Sequence, residues 1–210
     1  MSVEQPTVKD ERRARILIPD TNPLSLLAMI GSDALDWLFV PNAEVRIPDM
    51  VKAEAARPPE PGGDQRLEHR ATIADWFRRN ENRIHIVETH EGVEYAKAMQ
   101  AWTLAGSKPE LKPSGRGRGK KSVLQVLDVV ETVLADGEAA VVLVDDNKAR
   151  IAIQLENAFD IDLMGTESFI TWMHEKFKVA GAENAWAAIR IAAGGHAPVA
   201  KDDDPIYMRK

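Results

Sequence analysis

The sequence predicts a three-layer α/β/α domain built on a roughly five-stranded parallel sheet. Three observations lead there. Short apolar runs alternate with helix-spaced segments along the chain. Several of those runs are apolar throughout rather than at every second residue, the pattern of strands covered on both faces. No internal repeat breaks the alternation. At 210 residues, 44% hydrophobic and 29% charged, the chain has material for one core, and wholesale disorder is excluded.

The elements follow in order. Residues 1–14 are polar and are expected to be flexible. Ile16 to Pro19 reads as a strand that ends on Asp20. Leu24, Leu27 and Ala28 give helical spacing over Asn22–Ile30, and Ser32-Asp33 caps a second helix over Ala34–Phe39. Val45 to Ile47 is a strand, and Pro48 suits the first position of a helix running to about Arg57. The Pro58 to Gly63 stretch stops it. A helix over Asp64–Arg79, a strand over Ile84–Val87 and a helix over Glu91–Ala105 come next.

Residues 107–121 carry Gly and Pro without apolar periodicity and read as a mobile loop. Ser122 is expected to cap a helix over Val123–Ala135, closed by Asp136-Gly137. Ala140–Val144, an all-apolar strand, leads to Asp145-Asp146. Then come a helix over Asn147–Asn157, a strand over Ile161–Met164, and helices near Glu167–Lys178 and Ala182–Ala193. A single domain therefore spans 15–193, followed by a polar tail, 194–210.

Composition narrows the chemistry. There are no cysteines, which excludes disulfides, thiolate metal sites and cysteine nucleophiles. No run approaches about 18 apolar residues, so no membrane span is expected. The polar N-terminus has no apolar h-region, and a cytoplasmic location is expected. Net charge is −6, but residues 108–121 hold six Lys/Arg against one Glu, leaving the strip at +5 and the rest at −11. An acidic body suits a bound cation. A basic strip made of Lys108, Lys112, Arg116, Arg118, Lys120 and Lys121 suits RNA phosphates, although such strips are also found as plain solvated insertions.

The acids carry the functional argument. In open α/β sheets ligands bind beyond the carboxyl ends of the strands, where Asp20 and Asp145-Asp146 fall. Either of the pair can cap the next helix, leaving the other to face the crevice. Asp20 can likewise be read as a simple cap. Glu54 lies in the helix after the second strand, where a solvated face is the plain alternative. Asp128 stands among Val and Leu, and Glu131 follows one turn later. A carboxylate in apolar surroundings is costly unless compensated, and a divalent cation shared by several carboxylates would compensate it. Thr21, Asn22 and Arg150 are positioning candidates. The five histidines lack metal-ligand spacing, and no Walker loop supports a nucleotide hydrolase.

Taken together these segments resemble the PIN-domain nucleases, toward a bacterial toxin-like branch. Ile16-Leu17-Ile18-Pro19-Asp20-Thr21-Asn22 is similar to that family's opening strand and Asp-Thr-Asn/Ser motif. Ile47-Pro48 with Val51 and Glu54 is similar to its proline and V-x-x-E helix. Asp128 precedes Asp146 by 18 residues, like the family's third and fourth acids, and Val142 to Arg150 resembles its strand, acid pair and Ala-Arg. Gly165-Thr166 fits the same branch.

The likeness covers about 15–170. It departs in the enlarged middle and the added C-terminal helices. The Gly-Glu pair that opens the third-acid helix in much of the branch also has no counterpart at Gly137-Glu138, which is too close to Asp145. The resemblance implies an Mg²⁺- or Mn²⁺-dependent endoribonuclease, a hydrolase with RNA as substrate. It implies the acids Asp20, Glu54, Asp128, Asp145 and Asp146, with Glu131 as the other choice for the third. It further implies a toxin–antitoxin or RNA-processing role, with an antitoxin and a homodimer as partners. A non-catalytic RNA- or protein-binding module on the same fold is the alternative.

Overall fold

The computed structural model describes residues 12–58, 68–115, 117–156 and 161–194. The strands are β1 (Arg13–Pro19), β2 (Glu44–Pro48), β3 (Ile84–Val87), β4 (Glu138–Leu143) and β5 (Ile161–Met164). The helices are α1 (Thr21–Met29), α2 (Ser32–Leu35), α3 (Asp49–Ala55), α4 (Glu68–Arg79), α5 (His90–Leu104), α6 (Arg118–Val130), α7 (Asn147–Glu156), α8 (Thr166–Glu175) and α9 (Ala182–Ala192). Short 3₁₀ turns continue α2 and α6 and occupy Pro109–Leu111.

All pairings are parallel, in the order β3-β2-β1-β4-β5. Parallel neighbours need crossover connections, and these cover both faces of the sheet. That is why Ile16, Leu17 and Ile18 of β1 and Ala139 to Leu143 of β4, the two inner strands at the change of direction, are all buried. One group of helices, α1, α2, α4, α8 and α9, packs together. A second group, α5, α6 and α7, does the same. The two groups form the outer layers, and α3 touches both. The α/β fold with a five-stranded parallel sheet stands as predicted.

Several boundaries differ, each for a physical reason. β1 begins at Arg13, inside the stretch read as flexible, because Arg13 N–H bonds the Gly137 carbonyl and Ala14 is buried. Pro48 ends β2 and holds the cap position of α3 instead of opening it.

The largest difference is α6, which starts at Arg118 and not after Ser122. Its buried face runs Gly119, Ser122, Val123, Val126, Leu127 and Val130. The period is helical, but it opens on two small residues among Lys and Arg and so leaves no apolar signal. Ser122 is no cap; its Oγ–H donates to the Gly119 carbonyl at 2.6 Å inside the helix. The helix also stops at Val130, short of Ala135.

The segment before α6, expected to be a mobile loop, makes two contacts with Trp102 of α5. Trp102 Nε1–H donates to the Lys108 carbonyl at 2.6 Å, and the Lys112 ammonium stands 5.9 Å from the Trp102 ring. Of the other expectations, the break at 59–63, the start of the helix at 64–67, Asn157, Arg116, residues 1–11 and the tail from 195 lie outside the described residues. Among the described residues no helix is long and apolar enough to cross a membrane.

Candidate functional site at the β1 and β4 ends

β1 has β2 on one side and β4 on the other, so the connection after β1 runs one way, to β2, and the connection after β4 runs the other, to β5. A crevice forms at the carboxyl ends of such a pair. Asp20 is held there by its own backbone. Its N–H donates to the Leu143 carbonyl at 2.9 Å, continuing the ladder past Pro19, which pairs with Leu143. Asp20 occupies the cap position of α1, and its carbonyl accepts from Leu24 N–H at 3.4 Å, yet its side chain makes no capping hydrogen bond. Simple capping therefore does not account for the carboxylate.

That carboxyl is pushed up to about 6. Desolvation is the main cause. The charges of Glu54, Asp145 and Asp146 add to it, and the Thr21 backbone N–H partly opposes it. Beside it, Thr21 Oγ1 is a buried atom with no hydrogen-bond partner, while Asn22 is exposed on the first turn of α1.

The acid pair divides its roles. Asp146 is exposed and caps α7, its Oδ1 accepting from Ala149 N–H at 2.7 Å. Asp145 is buried, and its two oxygens accept the N–H and Oγ–H of Thr166, each at 2.8 Å. Arg150, also buried, donates to the carbonyls of Val144 and Leu163 and so ties the ends of β4 and β5 together.

Glu54 comes in from α3, and α6 meets it with its second residue. A Cβ on Gly119 would stand 3.1 Å from Glu54 Oε2, 3.8 Å from Val51 Cγ2 and 3.9 Å from Asp20 Oδ1. The helix thus begins against the acids on bare backbone. Lys120 follows, and its ammonium reaches the main-chain carbonyl of Lys148 at 3.3 Å, two residues past Asp146.

Asp128 and Glu131 do not join this group. Asp128 lies nine residues beyond Gly119, about 13 Å along the helix axis at 1.5 Å per residue, and is exposed. Its apolar sequence neighbours are on the buried face while it points out, so it carries no desolvation cost for a cation to relieve. Glu131 is exposed in the 3₁₀ turn that follows. Both expectations for a third acid on this helix are corrected.

The basic residues are likewise not one surface. Arg118 donates to Glu91 at 2.7 Å and to the Ser114 carbonyl at 2.9 Å, and lies 5.2 Å from the Tyr95 ring. Lys121 is 3.9 Å from the same Glu91 carboxylate. Lys108 and Lys112 sit out at Trp102. Among the described basic residues of the strip, Lys120 is the one that reaches α7, just past Asp146.

Sequence reasoning named Lys120 only as one of six RNA-phosphate contacts, not beside the acids, and missed Gly119 as a site residue. The available signal was a glycine early in a helix that faces two carboxylates, hidden by placing the helix start five residues late, at Val123 instead of Arg118. It also missed Asp49, whose carboxylate takes the Thr89 N–H at 3.1 Å and Oγ–H at 2.7 Å and packs against Gly92.

The donors available to a cation are all hard oxygens, those of Asp20, Glu54 and Asp146. Among the described residues no three carboxylate or imidazole groups are already gathered as a metal cage. A cation held here would have to keep most of its own waters, as Mg²⁺ commonly does. The unpartnered Thr21 hydroxyl and the mutual repulsion at Asp20 both point to a guest at this spot. Comparisons of the chain with protein-family models, curated proteins and solved structures returned no match.

Proposed function

We propose that the chain is a divalent-metal-dependent endoribonuclease acting at the crevice between β1 and β4. One observation carries the reading. Asp20 stands at a helix cap it does not make, its carboxyl raised to about 6 by burial and by three acidic neighbours. A carboxylate in that setting gains more from a cation than from any group the fold supplies.

Asp20, Glu54 and Asp146 would hold Mg²⁺ or Mn²⁺. The bound ion would lower the pKa of a water and offset the charge of a phosphodiester. Asp20 must be ionised to take part, so proton and cation compete for it, and the apparent affinity for the cation should weaken as pH falls below about 6. Asp145 holds the β5–α8 loop through Thr166 and adds negative charge from beneath. Thr21 Oγ1 is free to hydrogen-bond a bound water or substrate oxygen. The test is cleavage of a mixed set of structured and single-stranded RNAs in Mn²⁺ and in EDTA by the parent and by Asp20→Asn. Equal cleavage by the two proteins, or cleavage in EDTA, overturns the reading.

A second reading rests on Asp128. With that residue turned to solvent, the crevice lacks an acid from α6, as a module that binds RNA or protein without cutting would. Binding without Mn²⁺-dependent cleavage is its signature.

A further inference from the structure

We infer that Lys120 is a residue that seats a substrate phosphate over the acidic crevice, and that it does so apart from Lys112, Arg118 and Lys121. This rests on the nuclease reading for what the phosphate is held against, but not for the contact itself. Both ends of the side chain are placed by acid-bearing segments. Its Cα follows Gly119, whose missing Cβ leaves room for Glu54 and Asp20. Its ammonium bonds the carbonyl of Lys148, just past Asp146 at the start of α7. The lysine therefore links the start of α6, which abuts Glu54 and Asp20, to the first turn of α7, which Asp146 caps.

Its partner matters. Arg118 and Lys121 are engaged with Glu91, and Lys112 lies over Trp102. Among the described residues the Lys120 ammonium bonds an uncharged main-chain oxygen, that of Lys148, at 3.3 Å. A single hydrogen bond of that length to an uncharged carbonyl is a modest hold on the ammonium, while a phosphate oxygen adds the attraction of an opposite charge. The side chain has several rotatable bonds and can exchange one oxygen for the other without moving the backbone. Acids alone repel a polyanion, and one cation at their rim gives the phosphate a fixed entry point.

The test uses the full chain and a fluorescein-labelled single-stranded oligoribonucleotide, with anisotropy read in EDTA across a salt series, where the proposed cleavage is off. The variants are Lys120→Gln, Lys120→Arg and Lys97→Ala, the last removing one charge from α5, where Lys97 pairs with Glu94. Glutamine keeps a donor for the Lys148 carbonyl but no charge, so it preserves a purely structural role. Circular dichroism melts check each fold.

The expected result is that Lys120→Gln weakens binding roughly tenfold and lowers the salt slope by about one, while Lys120→Arg restores most of both and Lys97→Ala changes neither appreciably. Should Lys120→Gln bind with the parent's affinity and slope, the lysine is a structural tie and the inference falls. A parent that does not bind the probe overturns it too. The nuclease reading is judged separately, by Mn²⁺-dependent cleavage lost in Asp20→Asn, so either idea can fail alone.

Discussion

Asp145 receives both donors of Thr166, the backbone N–H and the side-chain Oγ–H, at 2.8 Å each. The two residues stand level, since Leu143 pairs with Met164 two positions earlier on each strand. Asp49 and Thr89 repeat the arrangement at the ends of β2 and β3, where Pro48 pairs with Val87. In each case a carboxylate after one strand fixes the start of the helix after the next. Of the acids at the β4 end, Asp145 is thereby committed to holding the fold, and Asp146 is the one open to a ligand.

Replacing Asp145 with Asn should therefore destabilise the protein by about 2 kcal/mol or more, because an amide cannot accept at both positions and the charge that strengthens the bonds is gone. Thr166→Val removes only the hydroxyl donor and should cost less. Thermal melts of the two variants give the comparison; equal stability with the parent would remove the clamp from the account.

Asp20→Asn should keep the fold, and in EDTA it should be as stable as the parent or more so, since one repelling carboxylate is lost. Mn²⁺-dependent cleavage and Mn²⁺ stabilisation should fall together, on the order of a hundredfold in rate. Retained Mn²⁺ stabilisation in this variant would place the ion elsewhere.

The pH dependence has a definite sign. A carboxyl whose folded pKa is raised contributes stability that is full below its ordinary value, 3.8, and is lost as pH rises through about 6. In EDTA the parent should lose stability against Asp20→Asn across that window, on the order of 3 kcal/mol for a shift of this size. Saturating Mn²⁺ should reverse the trend. Glu44, held below the usual carboxylate range mainly by its hydrogen bond from Arg46, runs the opposite way and cancels in the difference. A flat difference curve in denaturant melts from pH 3 to 8 would show that Asp20 titrates normally.

Gly119→Ala separates stability from function. Alanine is the better helix former by about 0.5–1 kcal/mol, and the new methyl meets the far end of a flexible, exposed side chain, so stability should hold or rise. Glu54 must give way from 3.1 Å, so Mn²⁺ affinity and cleavage should drop. Titration of Mn²⁺ against the two proteins reads this; unchanged affinity would take Glu54 out of the cation's reach.

Asp128→Asn and Glu131→Gln should each stay within about 0.5 kcal/mol of the parent in stability and within about twofold in activity, as exposed substitutions away from packing do. A large loss of cleavage in Asp128→Asn would restore it as a site acid.

The legible parts of this molecule were those written in apolar residues. The all-apolar strands at Ile16–Ile18 and Ala140–Leu143, each followed by a carboxylate, marked the inner strands and located Asp20, Asp145 and Asp146. What stayed hidden was written in small and charged residues. The first turn of α6, Arg-Gly-Lys-Lys, has no apolar period, although Gly119 is buried against Val51 and near Glu54. Asp128 misled for the opposite reason. Val and Leu on both sides in sequence imply an apolar setting, but on a helix its neighbours at 127 and 130 turn inward while it turns out. Nor could spacing alone say which of Asp145 and Asp146 is tied, since Thr166 comes from a later loop.

The strand order also governs when the site can exist during synthesis. β1, made first, has β4 as one of its two neighbours, and β4 is the fourth strand to leave the ribosome. Until Leu143 has emerged, the Asp20 N–H lacks its carbonyl and β1 is an open edge with Ile16 to Ile18 uncovered. A nascent chain therefore lacks the crevice and needs shelter from aggregation until most of it is translated. Folding must close a loop of more than a hundred residues before its central pairing forms, which favours a slow, all-or-none step over gradual growth from the N-terminus.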